Sequence, residues 1–123
     1  MTESRPFVTE QKQDGVSVIA LGGNLTFASY RALKQVFERL HGSNECRVVL
    51  DLKDCTYMDS AGLGLIASFV ASFRQRNGDI RLLHVAPALR ETLNITRLIK
   101  FFKLYTMLDD AVKSFSLDPP KAG

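Results

Sequence analysis

The stretch Val48–Gly64, VVLDLKDCTYMDSAGLG, decides the fold. Val48, Val49, Leu50 and Leu52 form an apolar run of strand character, a polar turn carrying Asp51, Asp54 and Asp59 follows, and Ser60 opens a glycine-containing helix. Strand, loop and helix N-terminus in that order make a junction where several backbone N–H groups point outward without partners. An α/β protein most naturally places an anion there.

Working outward, Cys46–Leu52 is apolar at nearly every position, as in strands buried on both faces. Before it, Tyr30, Leu33, Val36, Phe37 and Leu40 recur at helical spacing, with Arg31, Lys34, Gln35, Glu38 and Arg39 on the wet side. Thr26 is placed to cap that helix, and His41-Gly42-Ser43-Asn44 ends it, with glycine in the usual stop position. Gly22-Gly23-Asn24 breaks a strand over Val16–Leu21. The pair Asp14-Gly15 supplies the positive-φ positions of a hairpin turn leading back to a weak edge strand over Phe7–Gln13. Downstream, the helix opened by Ser60 runs to about Arg76, where Asn77-Gly78 stops it. Ile80–Val85 is the next strand, Pro87 starts a helix through about Thr96, Phe101–Leu104 is a short strand and Met107–Phe115 a last amphipathic helix. Residues 1–6 read as a disordered lead and 117–123 as a flexible tail, leaving one domain over 7–116.

The order β-β-α-β-α-β-α-β-α predicts a single-domain α/β sandwich: a mostly parallel five-stranded sheet with one antiparallel edge strand and four helices. In such sheets ligand and partner sites gather outside the carboxyl ends of the strands, where Asp59 and Ser60 fall. A chain of 123 residues with 46% hydrophobic and 24% charged residues has ordinary globular composition, and can bury a core without disulfides or metals. Sixteen basic residues spread among thirteen acidic ones make no nucleic-acid footprint; Arg90, Arg97, Lys100 and Lys103 come nearest to a cluster. Cys46 and Cys55 lack metal or redox spacing and read as buried free thiols. Without an apolar leader or a run of ~18 apolar residues, no membrane span is expected, and the expected location is cytoplasmic.

Ser60 has two readings from its residues alone. It is a helix cap, accepting a first-turn N–H for ~1 kcal/mol, or a hydroxyl offered to a kinase. The small neighbours Ala61, Gly62 and Gly64 leave the turn uncrowded, and a phosphate would bring roughly −1.5 to −2 charges to a helix N-terminus that favours anions. The segment DLKDCTYMDSAGLGLI, residues 51–66, resembles the signature of the STAS domain, which is shared by bacterial anti-sigma factor antagonists and the cytoplasmic tails of sulfate transporters. The Gly-Asn-Leu turn at 23–25, the strand beginning Asn77-Gly78 and the Leu-x-x-Thr-x-Leu segment at 93–98 follow in family order. A stand-alone chain of this length resembles the antagonists.

That resemblance implies a protein-binding switch with no cofactor and no catalysis of its own. The unphosphorylated antagonist binds an anti-sigma factor serine kinase of GHKL fold and so releases the sigma factor; phosphorylation of Ser60 breaks the complex, and a PP2C-type phosphatase restores it. It implies a partner surface of Asn24, Thr26, Asp59, Ser60, Ala61 and Gly62, with Asp59 capping and shaping the turn. Two positions depart from the family pattern: Thr26 stands where many antagonists carry aspartate, and Arg97 where many carry glycine. If that glycine holds positive φ, Arg97 requires a different local conformation.

The helix after Ser60 extends the surface. At ~100° per residue Leu63, Ile66, Val70 and Phe73 share a core side, while Ala61, Leu65, Ser68 and Ser72 share the other, small and nearly chargeless. That second side reads as a docking face centred on Leu65, or as a surface with one scattered leucine. An enzyme built on Asp51, Asp54 and Asp59 lacks a nearby histidine or D-x-D pair, with His41 and His84 falling in a helix end and a strand. No phosphate-binding glycine motif occurs. The closer alternative is a STAS interaction module that is not phosphorylated, acting as a scaffold or transport-complex subunit. The exposed edge strand permits a monomer or a weak dimer.

Overall fold

The computed structural model describes residues 7–117, so the expected lead at 1–6 and the expected tail at 117–123, apart from Leu117, which ends the last helix instead, lie outside the described residues. The elements are β1 (Phe7–Gln13), β2 (Val16–Gly22), α1 (Phe27–Gly42), β3 (Arg47–Asp54), α2 (Ser60–Arg74), β4 (Asp79–Leu83), α3 (Pro87–Ile95), β5 (Leu104–Tyr105) and α4 (Leu108–Leu117). The five strands lie in the order β1-β2-β3-β4-β5, with β1 antiparallel to β2 and the other neighbours parallel. Asp14 and Gly15 both take positive φ, 53° and 79°, as a tight hairpin turn requires.

Period-two alternation sorts the strand side chains onto two faces. Ile19, Leu21, Val48, Leu50, Leu52, Ile80 and Leu82 meet Leu33 and Phe37 of α1, Leu63, Ile66, Val70 and Phe73 of α2, and Leu89 and Leu93 of α3. On the other face Val16, Val18, Val49 and Leu83 meet Ala111, Val112 and Phe115 of α4. β3 is central and contributes to both cores, which is why its sequence is apolar almost throughout.

Several segments end differently from expectation: β3 runs on to Asp54, α2 stops at Arg74 and α4 reaches Leu117. β4 stops at Leu83 because His84 turns into the left-handed region at φ 59°. The last strand is Leu104–Tyr105 rather than Phe101–Leu104, because the Phe101 and Phe102 amides are drawn into a turn on the Leu98 carbonyl at 2.9 and 3.3 Å. α1 ends within the expected His41–Asn44 segment, but Gly42 is its last helical residue and Asn44, in place of the glycine, takes the positive φ of 58°. There the Glu45 N–H reaches the Leu40 carbonyl (2.8 Å) and the Asn44 N–H the His41 carbonyl (3.2 Å), a Schellman closure. Asn77 does the same after α2, and Gly78 beside it lets the chain press on Cys46, whose carbonyl oxygen would lie 1.9 Å from any Cβ there.

α3 closes in the same way on Arg97. Its φ is 63°, with Leu98 N–H on the Leu93 carbonyl (2.9 Å) and Arg97 N–H on the Asn94 carbonyl (3.1 Å). The arginine therefore takes the left-handed conformation itself instead of a different local one.

Leu65 departs from the expected docking face. It is only 5% exposed and belongs to the core that α1, α2 and α3 cover. Those three helices pack on one sheet face, and α2 packs against α1 as well as against the sheet, so it buries a wider arc than its sheet-facing side alone. Its exposed positions are Ser60, Ala61, Gly64, Ser68 and Ala71, with Ser72 half-buried.

Arg81, unremarked in the sequence, is buried on the α4 face. Its guanidinium lies 3.2 Å from Asp79 and 2.5 Å from Ser114 Oγ, and stacks 4.1 Å from the Phe115 ring centre. Asp79 also accepts from Arg74 at 3.0 Å, and Arg74 donates to the Phe101 carbonyl at 2.7 Å.

Two substitutions check these assignments. Leu65→Lys is expected to cost about 3–5 kcal/mol by burying an uncompensated charge, read as a lower urea midpoint; a loss under about 1 kcal/mol would restore Leu65 to the surface. Arg97→Gly is expected to stabilise by about 1 kcal/mol, since a left-handed side-chain residue costs roughly 1–2 kcal/mol and glycine does not; a lower melting temperature would contradict it.

Candidate functional site

The site lies where β3 leaves the core. Cys55 is buried, its thiol donating to the Tyr57 carbonyl at 3.3 Å, and the chain then surfaces through Thr56 and Tyr57 before Met58 turns back in. This loop is stitched to the turn after β2. Asn24 Oδ1 accepts from the Thr56 amide (3.0 Å), the Thr56 hydroxyl (3.3 Å) and the Tyr57 amide (3.2 Å). Leu25 N–H donates to the Tyr57 carbonyl at 3.0 Å and accepts in return, its carbonyl taking the Asp59 N–H at 3.2 Å. Thr26 sits at the N-cap of α1, where its N–H donates to Ser29 Oγ (3.2 Å) while that hydroxyl donates to the Asn24 carbonyl (2.8 Å).

The cap of α2 is Asp59, whose Oδ1 accepts the Gly62 N–H at 2.8 Å. Ser60 is therefore the first helical residue; it is exposed and takes no part in the cap. Gly62 is buried under Leu25, where a Cβ would come within 2.8 Å of the leucine and 3.3 Å of the capping carboxylate. It shapes the site from beneath and, like Leu65, does not form its surface. Asn24, Ser60, Ala61 and Ser68 are exposed at this end or along α2, and Thr26, Asp59 and Ser72 are half-buried.

Asp51 accepts from the Lys53 amide (3.0 Å) and pairs with His84 Nδ1 at 3.1 Å, a contact hidden in the sequence because the two are far apart along the chain and His84 follows β4 instead of lying in it. Asp54 is exposed at the end of β3. Both cysteines are buried and free, and burial pushes both thiols up from their ordinary range. Among the described residues no three His, Cys, Asp or Glu side chains converge as a metal site, and no helix is long and apolar enough to cross a membrane. The threefold acceptor role of Asn24 had no signal in the sequence, since its partners lie 32 and 33 positions away.

Comparison with known proteins gives the same frame. Residues 8–111 match the STAS domain family. BtrV of Bordetella bronchiseptica, which carries the name anti-sigma factor antagonist, is 28% identical over 114 residues, spanning 93% of this chain and 98% of BtrV. The anti-sigma-F factor antagonist RsfB of Mycobacterium tuberculosis is 25% identical over 105 residues, 85% of each chain. The crystal structure of an anti-sigma factor antagonist from Mycobacterium paratuberculosis superposes with a TM-score of 0.79 at 27% identity, covering 90% of this chain and 94% of that one. With the fold, the helix-capping Asp59 and the exposed Ser60 already in place, the match over nearly the whole described chain settles the assignment: this chain belongs to the STAS domain family.

Proposed function

We propose that this chain is an anti-sigma factor antagonist, a cytoplasmic partner switch controlled by phosphorylation of Ser60. In this reading the unphosphorylated chain binds an anti-sigma factor serine kinase of GHKL fold and frees the sigma factor. The kinase transfers the γ-phosphoryl group of ATP to Ser60 Oγ, releasing ADP and the hydroxyl proton, and a PP2C-type phosphatase hydrolyses the product. The antagonist is the substrate and contributes no catalysis. The names of its relatives support the role, and one observation carries the switch: Ser60 stands exposed at the first position of α2 while Asp59 alone caps the helix.

The consequence is electrostatic. A phosphate at Ser60 lies at the positive end of α2, where a negative charge is favoured by about 0.3–1 kcal/mol, and it displaces no cap. The fold therefore accepts either state. A partner packed over Ser60 does not, because it must desolvate or repel roughly two added charges, and mismatched charge at an interface costs several kcal/mol.

Two experiments test the reading. Each GHKL-fold serine kinase of the source organism, incubated with ATP and the chain, is to be followed by intact mass: one is expected to add a single phosphate to the wild type and none to Ser60→Ala, and the absence of any mass gain with the whole set would sink the switch. Ser60→Asp is expected to weaken binding to that kinase by roughly 100-fold or more while circular dichroism and melting stay nearly unchanged. Unfolding of Ser60→Asp would instead make the serine a structural element.

A further inference from the structure

Four large apolar side chains stand exposed among the described residues: Phe7, Tyr57, Ile95 and Met107. Phe7 and Tyr57 lie on the Asn24 side of the rim that carries Ser60, whereas Met107 follows β5 at the opposite edge of that rim. Phe7 opens β1 directly opposite Gly22, and Gly22 is paired in turn with Asp54, the last residue of β3. The Phe7 ring rests on that glycine so closely that a Cβ at position 22 would lie 2.1 Å from it, so Gly22 is the seat of the ring. Tyr57 is held by its backbone, with its N–H on Asn24 Oδ1 at 3.2 Å and its carbonyl taking the Leu25 N–H at 3.0 Å. Both residues are nevertheless 53% exposed.

The rim thus presents two aromatic side chains near Asn24, one seated on Gly22 two residues before it and one bonded through its own amide. Tyrosine is enriched among the residues that dominate binding energy at protein interfaces and phenylalanine in their buried cores, and anchors fixed before binding lose little freedom on contact. The geometry points to Phe7 and Tyr57 as the aromatic anchors by which the serine kinase is held on this rim. The inference rests on the proposed function, since it takes the kinase as the occupant. A protein that reaches Ser60 covers a standard footprint of about 800 Å² per partner, a disc of roughly 16 Å radius, and Tyr57, three residues from Ser60, falls well inside it. Phe7 pairs with Gly22 and Gly22 with Asp54, so two inter-strand spacings of about 4.8 Å put it about 10 Å across the sheet from the end of β3. Ile95, at the far end of α3, lies close in sequence to Phe101, whose carbonyl is tied to Arg74 beside Asp79 at the opposite end of the sheet.

The test uses the full chain and whichever kinase phosphorylates Ser60, with affinity measured by calorimetry. Tyr57→Ser and Phe7→Ser are each expected to weaken binding by about 30-fold, and Ile95→Ser, the most exposed of the four at 74%, to leave it unchanged. Should Phe7→Ser melt early for want of cover on Gly22, Phe7→Leu keeps that cover and is expected to lose most of the same affinity. Wild-type affinity in Tyr57→Ser and Phe7→Leu, with Ser60 still phosphorylated, overturns the anchors and leaves the proposed function standing. No phosphorylation and no binding of the wild-type chain by any such kinase overturns both. Sedimentation showing a dimer that Phe7→Leu dissociates assigns Phe7 to a second copy across the β1 edge, and also overturns the inference.

Discussion

A single oxygen, Asn24 Oδ1, governs the shape of the site. The chain between β3 and α2 has to leave a strand buried on both faces and re-enter a helix within five residues, and the amides of such a loop need acceptors. Asn24 supplies one to Thr56 and Tyr57 together, from a turn on the neighbouring strand, and Leu25 closes the stitch by exchanging hydrogen bonds with Tyr57 and Asp59. Met58 and Leu25 bridge behind it. With the loop fixed in this way, the start of α2 is set by β2 as much as by its own sequence. Gly62 completes the arrangement, because only a residue without Cβ lets Leu25 lie against the first turn of the helix.

At the other end of the sheet a buried carboxylate has the corresponding role. Asp79 takes Arg74 from α2 and Arg81 from the opposite face, and Arg81 continues to Ser114 and Phe115 of α4. The two helical layers are therefore joined through the sheet by charge-assisted hydrogen bonds as well as by apolar contact. Buried ions of this kind add little net stability over an apolar core, but removing one partner strands the other, so the set acts as a register pin between layers.

Most of the fold was legible because its signals are local. The Asp14-Gly15 turn, the helical spacing from Tyr30 to Leu40 and the two-faced apolar run through Leu50 each determine their own element. Pairing order then follows from short connections. Boundaries failed where a backbone angle intervened: His84 cut β4 short by taking positive φ, and the turn on Leu98 delayed β5. The candidate site was legible as a motif and incomplete as a surface. Ser60 and Asp59 could be read from one stretch, whereas the burial of Leu65 depends on how α2 packs beside α1 on the sheet, and the hold of Asn24 on Thr56 joins segments 32 residues apart. Phe7 reads in the sequence only as the start of an edge strand, because its place at this end of the sheet is defined by β1 pairing back onto Gly22.

The division of labour between Asp59 and Ser60 has a consequence for how such a switch handles information. Because the carboxylate holds the helix end, the serine hydroxyl is spare, and modifying it asks nothing of the backbone. In the proposed function the chain then has one conformation and two covalent states, so no refolding step delays a change of state and no slow relaxation follows it. Its response time is set by the enzymes that write and erase the mark. Its memory lasts as long as one phosphate ester.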